Sequence, residues 1–330
     1  MERSVTLRAR FDPGSLVFAC AVDSPESTQD AFLLAQSIRH FAGRFSGNPV
    51  WVFYPGNVAP GTLAGATPTA ATSSLPALTG ATLAQFQGLG VAVLPFEQDP
   101  STWALPLSGK VFAAAEAESR AVGAGAEVLA WMDPDSLVLN EPGTFWLPPG
   151  KAIGYRPVDL RLIGSPAAED PDGYWRLVYE DCDVDPAQVF EVITSADRQP
   201  IRAYFNAGLV IVRPGYGILR RWRENLRTLA ADTRLEPFFI RSRLYYVFLH
   251  QVALAGAILS TVAEEETYAL PVTVNYPLHL HERYPENLRP GAIDDLISMR
   301  HDVFFRKPGW EQSLPAREPL RSWLMARVSR

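Results

Sequence analysis

The sequence of 330 residues contains only two cysteines, Cys20 and Cys182, which lie far apart in the chain. This shortage excludes a disulfide scaffold and a cysteine metal site, so both residues are predicted to be free thiols. The chain also lacks an excess of basic residues, since its net charge is −6 at pH 7. A protein that binds nucleic acid through a basic surface is therefore not expected.

Long apolar runs are missing as well. Residues 1–14 contain no apolar core of a signal peptide. The longest apolar stretch, Leu244 to Ile258, is interrupted by His250 and Gln251, so it is too short and too polar to span a bilayer. We therefore expect a cytoplasmic protein without an integral membrane segment. The basic residues at the C-terminus leave peripheral attachment to a membrane open.

Strands alternate with helices over the first 140 residues, which is the pattern of a doubly wound α/β sheet. Runs of strand-forming apolar residues predict strands at Leu16–Val22, Pro49–Tyr54, Val91–Phe96 and Val128–Met132. Helical spacing predicts helices from Thr28 to Ala42, capped by Ser27 or Thr28, and over Thr82–Leu89 and Lys110–Ala121. Residues 55–80 are rich in Ala, Thr, Pro, Gly and Ser, and we interpret them as a mobile surface loop.

Ligands of such sheets bind beyond the carboxyl ends of the strands. The usual dinucleotide and P-loop motifs are missing, because no Gly-x-Gly-x-x-Gly and no Walker-type lysine loop follow the first strand. The second half of the chain is mixed. It predicts strands at Ala152–Tyr155, Tyr174–Tyr179, Val189–Ile193, Tyr204–Val212 and Tyr268–Val274, and helices at Tyr216–Ala231 and Arg243–Leu259.

The segment EVLAWMDPDSLVLNEP, from Glu127 to Pro142, ends a buried strand in Asp133-Pro134-Asp135. Two carboxylates at the end of a buried strand are costly unless something pairs with them. Hard oxygen ligands of this kind suit Mg²⁺ or Mn²⁺, and the alternative is a polar turn with two solvated aspartates. A second acidic cluster, Asp181, Asp183 and Asp185, is interpreted as a solvated turn or at most a surface cation site.

Five segments in order resemble the nucleotide-sugar glycosyltransferases with the GT-A fold, in particular the retaining group that includes glycogenin and bacterial lipopolysaccharide galactosyl- and glucosyltransferases. They are the Asp133-x-Asp135 strand end, Phe205-Asn206-Ala207-Gly208, His250-Gln251, LPVTVNY over Leu270–Tyr276, and His301 with Lys307-Pro308. The resemblance spans Leu16 to Trp310 outside the variable loops. It implies a single GT-A domain over residues 1–320, with a mostly parallel Rossmann-like sheet, helices on both faces and a mixed C-terminal half.

The resemblance also implies roles. Residues 15–140 would form the nucleotide-binding half, 141–310 the donor-sugar and acceptor half, and 311–330 a C-terminal tail. Asp133, Asp135 and His301 would hold Mn²⁺ or Mg²⁺ at the donor diphosphate. Lys110 and Lys307 would contact the phosphates, and Ala21, Val22 and Asp23 would border the base and ribose. Asn206, His250 and Gln251 would face the donor sugar as catalytic residues.

The activity that the resemblance implies is transfer of a sugar from a UDP-sugar to an unknown acceptor with retention of configuration. Position 250 holds histidine where the group has aspartate. A catalytically degenerate nucleotide-sugar-binding protein is therefore an alternative. Nucleotidyltransferase chemistry on the same fold is disfavoured, because DSPEST follows the first strand instead of a Gly-rich basic loop. Sugar, acceptor and oligomeric state are left open by the sequence.

Overall fold

The structure is a computed structural model that describes residues 15–56 and 79–328. The strands are β1 Leu16–Ala21, β2 Val50–Pro55, β3 Val91–Phe96, β4 Val128–Met132, β5 Ser136–Val138, β6 Ile153–Tyr155, β7 Glu191–Ile193, β8 Pro200–Arg202, β9 Leu209–Val212, β10 Thr267–Ala269, β11 Tyr276–Pro277 and β12 Ser298–Arg300. The helices are α1 Pro25–Phe41, α2 Gly80–Gly88, α3 Ser108–Gly123, α4 Gly173–Asp181, α5 Ile218–Ala231, α6 Glu236–Arg241, α7 Arg243–Val247, α8 Leu249–Thr261, α9 Trp310–Ser313 and α10 Leu320–Val328. Most of the predicted 55–80 loop lies outside the described residues.

A seven-stranded sheet in the order β10-β6-β9-β4-β1-β2-β3 forms the centre of the molecule. Neighbouring strands run parallel except at β9, which is antiparallel to both β4 and β6. Alternate residues of β1 face the two sides, with Val17 and Ala19 in one core and Leu16, Phe18 and Cys20 in the other. Helices α3, α5 and α8 cover the first side and α1 the second. The predicted fold class, a mostly parallel α/β sheet with helices on both faces, is confirmed.

The reversed strand β9 places its first residues at the carboxyl end of β4. Leu209 is the register partner of Met132, and the backbone amide of Asp133 donates to the Gly208 carbonyl at 2.7 Å. The segment from Asn206 to Gly208 is therefore a turn that precedes a strand. The prediction that one strand runs from Tyr204 to Val212 was wrong at its start, and the shorter strand brings this segment to the edge where ligands bind.

A small second sheet continues from that edge. It has the order β11-β12-β5, and β5 follows Asp135 directly. In the antiparallel pair β12–β5, Arg300 is the register partner of Ser136. The backbone amide of His301 donates to the Asp135 carbonyl at 2.9 Å. Pairing of these short strands thus brings Arg300 and His301 beside the aspartates, although a long stretch of chain separates them.

One strand prediction and one helix prediction need correction. Residues 174–179 form part of α4 and not a strand, because Asp172 accepts from the Trp175 amide at 2.9 Å and caps a helix with an apolar buried face. The strand Glu191–Ile193 pairs with Pro200–Arg202 instead. Helix α1 begins earlier than expected, since Ser24 is the cap and Ser27 completes a capping box with it.

Smaller differences concern other elements of the second half. The single helix predicted for Arg243–Leu259 is divided at Phe248 into α7 and α8, and the strand predicted over Tyr268–Val274 is only β10, Thr267–Ala269. Both cysteines are buried free thiols, as predicted. None of the described helices combines the length and the apolar character that crossing a bilayer demands.

The residues predicted as a C-terminal tail contain a packed helix. Trp323 and Leu324 of α10 are buried, and the Trp323 ring lies against Phe41 of α1 with 5.0 Å between ring centroids. These residues belong to a third core that also contains Tyr276, Met299 and Trp310. Burial of this kind favours folding by roughly 25 cal/mol per Å² of apolar surface, so the described end of the chain is an integral part of the domain.

Candidate active site

A cavity of about 1590 Å³ opens at the carboxyl ends of β1 and β4. Of the candidate site residues, all except His301 and Lys307 line this cavity. The candidates that line it are Ala21, Val22, Asp23, Lys110, Asp133, Asp135, Asn206, His250 and Gln251. These residues come from β1, α3, β4, the turn before β9 and α8, so the sheet edge gathers segments that are scattered along the chain.

Asp133 and Asp135 flank a tight turn between β4 and β5. The Ser136 amide donates to the Asp133 carbonyl at 3.1 Å, and Pro134 occupies a central position of the turn. Proline is favoured there because its φ is already set for such a turn. The Asp133 carboxylate is paired with Lys110, whose ammonium nitrogen lies 2.5 Å from Oδ1. Lys110 lies in the first turn of α3, which packs on one face of the central sheet.

The carboxyl of Asp135 has a perturbed pKa. Burial, together with the smaller effect of the negative charge of Asp133, raises the pKa of Asp135 to about 6, while Arg300 and Lys110 oppose the shift. Asp302 and Asp159 add negative charge around the same Arg300. Four carboxylates against two cations leave an excess of two negative charges, which a divalent cation would match.

Arg300 joins the aspartates to a buried polar network. Its guanidinium donates to Oδ1 of Asn206 at 3.2 Å and to Oδ2 of Asp159 at 3.4 Å. Asn206 in turn donates to Asp159 at 3.0 Å, and its Oδ1 accepts from the Gly208 amide at 2.7 Å and from Asn275 at 3.3 Å. The carboxamide oxygen of Asn206 is thus held by three donors, so this side chain orients its neighbours as well as lining the cavity.

Gly208 is required by close packing at this point. A Cβ atom there would lie 2.7 Å from Nη1 of Arg300, 2.9 Å from Oδ1 of Asn206 and 3.2 Å from Oδ2 of Asp133. Only glycine lets the backbone of the turn approach the guanidinium and the aspartate so closely. This close contact explains why the Asn-Ala-Gly segment ends in glycine.

His250 and Gln251 begin α8 at the back of the cavity. His250 is buried, and burial together with the charge of Lys110 lowers its pKa to about 3. Its Nδ1 donates to the Val247 carbonyl at 3.0 Å, which leaves a neutral ring with an acceptor at Nε2. Oε1 of Gln251 accepts from the Ala207 amide at 3.4 Å. Position 250 therefore carries no negative charge at the cavity wall.

The end of β1 forms another wall. The amide of buried Val22 donates to the Phe53 carbonyl at 2.8 Å, which extends the parallel pairing with β2. Asp23 follows and is exposed, and Oδ1 of this residue accepts from the Ser27 hydroxyl at 3.2 Å. Asp23 is therefore a member of the capping arrangement at the start of α1 and also lines the cavity.

The side chains of His301 and Lys307 do not line the main cavity with the other candidates. The buried ring of His301 faces a second cavity of about 600 Å³. Its Nε2 has no hydrogen-bond partner among the described residues and lies 3.9 Å from Asp30. Burial lowers the pKa of His301, so the ring is neutral. Lys307 is exposed. Burial and the charge of Arg300 lower the pKa of His279, a residue of the main cavity, and the charge of Lys307 makes a smaller contribution in the same direction.

A divalent cation of this kind needs several oxygen or nitrogen ligands around one point. Within the described part of the chain, no group of three or more histidine, cysteine, aspartate or glutamate side chains is arranged to hold a metal ion. Asp133 and Asp135 nevertheless fit such an ion, because both are oxygen donors on one wall and the charge of Asp133 raises the pKa of Asp135. The ring of His301 does not join them in this conformation.

Several residues of the site were missed by the sequence interpretation. Arg300, Asp159 and Asn275 complete the polar network, and Tyr284 donates to Asp159 at 2.7 Å. Asn275 stands in the LPVTVNY segment, so that motif already marked it. No local signal distinguishes Asp159 or Arg300 from surface charges. In the second acidic cluster, Asp181 lies 2.9 Å from Arg234 and Asp183 lies 2.7 Å from Arg221, while Asp185 caps a short turn.

Three solved structures similar to this chain are glycosyltransferases. Galactosyltransferase LgtC in complex with donor and acceptor sugar analogues is 13% identical with a TM-score of 0.44, over 95% of this chain and 94% of that chain. An active-site mutant of LgtC is 13% identical with a TM-score of 0.46, over 90% and 93%. The bifunctional glycosyltransferase WbbM in its apo form is 12% identical with a TM-score of 0.49, and 98% of this chain spans about half, 53%, of WbbM.

Comparison by sequence gives the family. No curated protein matches this chain significantly. The family model of the Rhodobacterales glycosyltransferase domain matches residues 18–261, a span that includes the aspartate pair, Lys110, Asn206 and Gln251. This match covers most of the chain and confirms the predicted relationship to the glycosyltransferases. The chain belongs to the family of the Rhodobacterales glycosyltransferase domain.

Proposed function

We propose that the protein is a metal-dependent glycosyltransferase that moves a sugar from a UDP-sugar to an acceptor hydroxyl with retention of anomeric configuration. One observation carries the proposal: a single cavity is lined by most of the candidate nucleotide, sugar and phosphate residues and by both aspartates. Family membership supports sugar transfer in general. The dependence on a metal, the UDP nucleotide and the retention of configuration go beyond family membership and are parts of the proposal.

In the proposed reaction, Asp133 and Asp135 hold Mn²⁺ or Mg²⁺. When bound, the cation would neutralise the negative charge that develops on the leaving diphosphate. Lys110 stays beside Asp133 as a fixed ammonium charge near the phosphates. Arg300 and Asn206 hold Asp159 in place by hydrogen bonds, so that the sugar meets an oriented carboxylate. We propose His301 as a third ligand after rotation of its ring, and Lys307 as a phosphate contact from the rim.

The base and ribose are proposed to lie at Ala21, Val22 and Asp23, on the wall formed by the end of β1. The carboxylate of Asp23 suits a ribose hydroxyl, which donates hydrogen bonds. Gln251 is proposed to face the donor sugar, with its Oε1 held by the Ala207 amide. A cytoplasmic location, with or without peripheral attachment to a membrane, is part of the same proposal.

Calorimetric titration with UDP, with and without Mn²⁺, tests the proposal. We expect Mn²⁺ to strengthen UDP binding and Asp135→Ala to remove that gain. Asp185→Ala is the control, since this exposed aspartate caps a short turn outside the cavity. Binding that is indifferent both to Mn²⁺ and to Asp135→Ala would refute the metal site.

A second function is favoured by one observation, the neutral His250 where the related group has a carboxylate. In that case the protein binds a nucleotide-sugar without transferring it. Release of UDP from UDP-galactose and UDP-glucose separates the two functions, because a pure binder retains the intact donor. His250→Asp adds the carboxylate. Gain of UDP release in that variant would support the binder, while release already present in the wild-type protein supports the enzyme.

A further inference from the structure

Two exposed leucines of the main cavity have a left-handed backbone. Leu107 has φ 61° and Leu162 has φ 42°, and both line the cavity. They are 49% and 53% exposed, so neither is held in place by burial in the core. Left-handed backbone brings Cβ too close to the following carbonyl, and glycine or asparagine is the usual occupant. Leucine is strained at both positions.

Leu107 is also an unusual residue for its position before a helix. It precedes the first residue of α3, where serine, threonine, aspartate or asparagine would cap the helix, and its side chain makes no capping bond. The surrounding loop is held firmly, because the Ser108 hydroxyl lies 2.8 Å from both the Thr102 and the Leu105 carbonyl oxygens and its single proton is shared between them. The Tyr246 hydroxyl donates to the Ala104 carbonyl at 2.7 Å. The fold therefore imposes the backbone of Leu107.

Leu162 lies in a loop that is fixed in a similar way. The indole of Trp175 donates to the Ile163 carbonyl at 2.7 Å, and the Gly164 amide donates to the Arg161 carbonyl at 2.6 Å. The Arg161 amide donates to Asp197 at 3.1 Å. Strained residues that the surrounding structure holds in place are concentrated at functional sites.

The lining of the cavity includes both polar and apolar residues. We call the part with Asp133, Asp135 and Arg300 the polar floor. Near Leu107 in the chain the lining includes Trp103 and Leu105, and near Leu162 it includes Leu160. The volume of about 1590 Å³ exceeds the ~300–1000 Å³ of a site for one small ligand. Space therefore remains for a second molecule beside a donor on the polar floor.

We propose that Leu107 and Leu162 bind an apolar group of the acceptor, so that the accepting hydroxyl belongs to a sugar carried on an apolar aglycone. This inference rests on the proposed function, since it concerns the acceptor of that reaction. An apolar aglycone would remove both exposed leucines from water, which is favourable in proportion to the area covered. Glycine would relieve the backbone strain at either position but would lose this contact. The two leucines determine acceptor specificity.

Two glycosides that differ only in the aglycone test the inference. Methyl β-D-glucopyranoside and octyl β-D-glucopyranoside, the latter below its micelle concentration, are titrated into protein saturated with UDP and Mn²⁺. We expect the octyl glycoside to bind about tenfold more tightly, as burial of about two methylene groups predicts. Leu107→Gly and Leu162→Gly each lower this preference about threefold and leave binding of the methyl glycoside unchanged.

Two further variants separate specificity from a structural effect. Leu107→Met keeps an apolar side chain and retains the preference. Val122→Ala alters an exposed apolar residue of α3 outside the cavity and also retains it. Thermal unfolding serves as a second measurement, because relief of strain in Leu107→Gly raises Tm by about 1–2 °C.

Equal binding of the two glycosides by the wild-type protein overturns the inference, as does a preference that both glycine variants retain. Titration with UDP precedes the glycosides and tests the proposed function separately. Absence of UDP binding contradicts the proposed function. Normal UDP binding without an octyl preference contradicts only the role of the two leucines.

Discussion

The ammonium nitrogen of Lys110 lies 2.5 Å from Oδ1 of Asp133, and this ion pair joins the first turn of α3 to the end of β4. The side chains of the pair are only 12% and 20% exposed. A charge pair so shielded from water acts more strongly than one at the surface. It places a fixed positive charge at the rim of the two aspartates, where a diphosphate would bind.

Lys110→Met is therefore expected to weaken UDP binding in the presence of Mn²⁺ by about tenfold or more, because an anionic ligand loses a fixed cation. The sequence contains only three lysines, and Lys151→Met provides a matched control. Lys151 donates to the Glu265 carbonyl on an exposed surface outside the cavity. Calorimetry on both variants measures the difference, and equal affinities would contradict the placement of the diphosphate.

Asp135→Asn is expected to change stability in a manner that depends on pH. Burial raises the pKa of Asp135 from 3.8 to about 6 in the folded protein, so the charged form is disfavoured by folding. The stability contributed by the neutral carboxyl is fully present below about pH 4 and is lost as pH rises through about 6. Without metal, the variant should be more stable than wild type at pH 8 by on the order of 2 kcal/mol.

The wild-type protein and Asp135→Asn should have similar stability near pH 4, where the Asp135 carboxyl of the folded wild-type protein is protonated. Chemical unfolding at both pH values in EDTA gives the comparison. Saturating Mn²⁺ should reverse the order at pH 8, because the metal stabilises only the protein that binds it. A variant that is less stable than wild type in EDTA at pH 8 would show that Asp135 carries a favourable charge.

Gly208→Ala is expected to disrupt the site by steric contact. The new Cβ would lie 2.7 Å from the Arg300 guanidinium, so the guanidinium or the turn must shift. Overpacking of this kind costs about 1–3 kcal/mol of folding free energy, and UDP binding should weaken with it. Gly215→Ala is the control, since none of the described residues lies within 4 Å of the point that a Cβ would occupy there and its φ is not left-handed. Similar loss of stability in both variants would contradict the packing argument.

His301→Ala tests the third metal ligand. The ring lines the second cavity, but its backbone amide is bonded to the Asp135 carbonyl at 2.9 Å, so rotation of the side chain could bring it toward the aspartates. We expect the variant to bind Mn²⁺ about tenfold more weakly, as measured by electron paramagnetic resonance of free Mn²⁺. His40→Ala, in an exposed residue of α1, should bind Mn²⁺ normally. An unchanged Mn²⁺ affinity in His301→Ala would show that His301 is not a ligand and that the aspartates hold the metal without it.

Local patterns predicted the first half of the fold well. Strands β1, β2, β3 and β4 were found within one residue of their ends, because each is a short apolar run bounded by turn residues. The interpretation failed at Tyr174–Tyr179, where aromatic and branched residues favour a strand by propensity alone. The buried positions Tyr174, Trp175, Val178 and Tyr179 follow helical spacing, and the Asp172 cap starts the helix.

The sequence by itself determined which chemical groups are available: the two aspartates at a strand end, Lys110 on a helix, and Asn206, His250 and Gln251 in their motifs. Only the tertiary structure decided which of them meet. The reversed direction of β9 brings Asn206 to Asp133, and the β12–β5 pairing brings Arg300 to Asp135 while the His301 ring turns to another cavity. Pairing between distant strands depends on burial and hydrogen bonding across the whole sheet, which no local run of residues encodes.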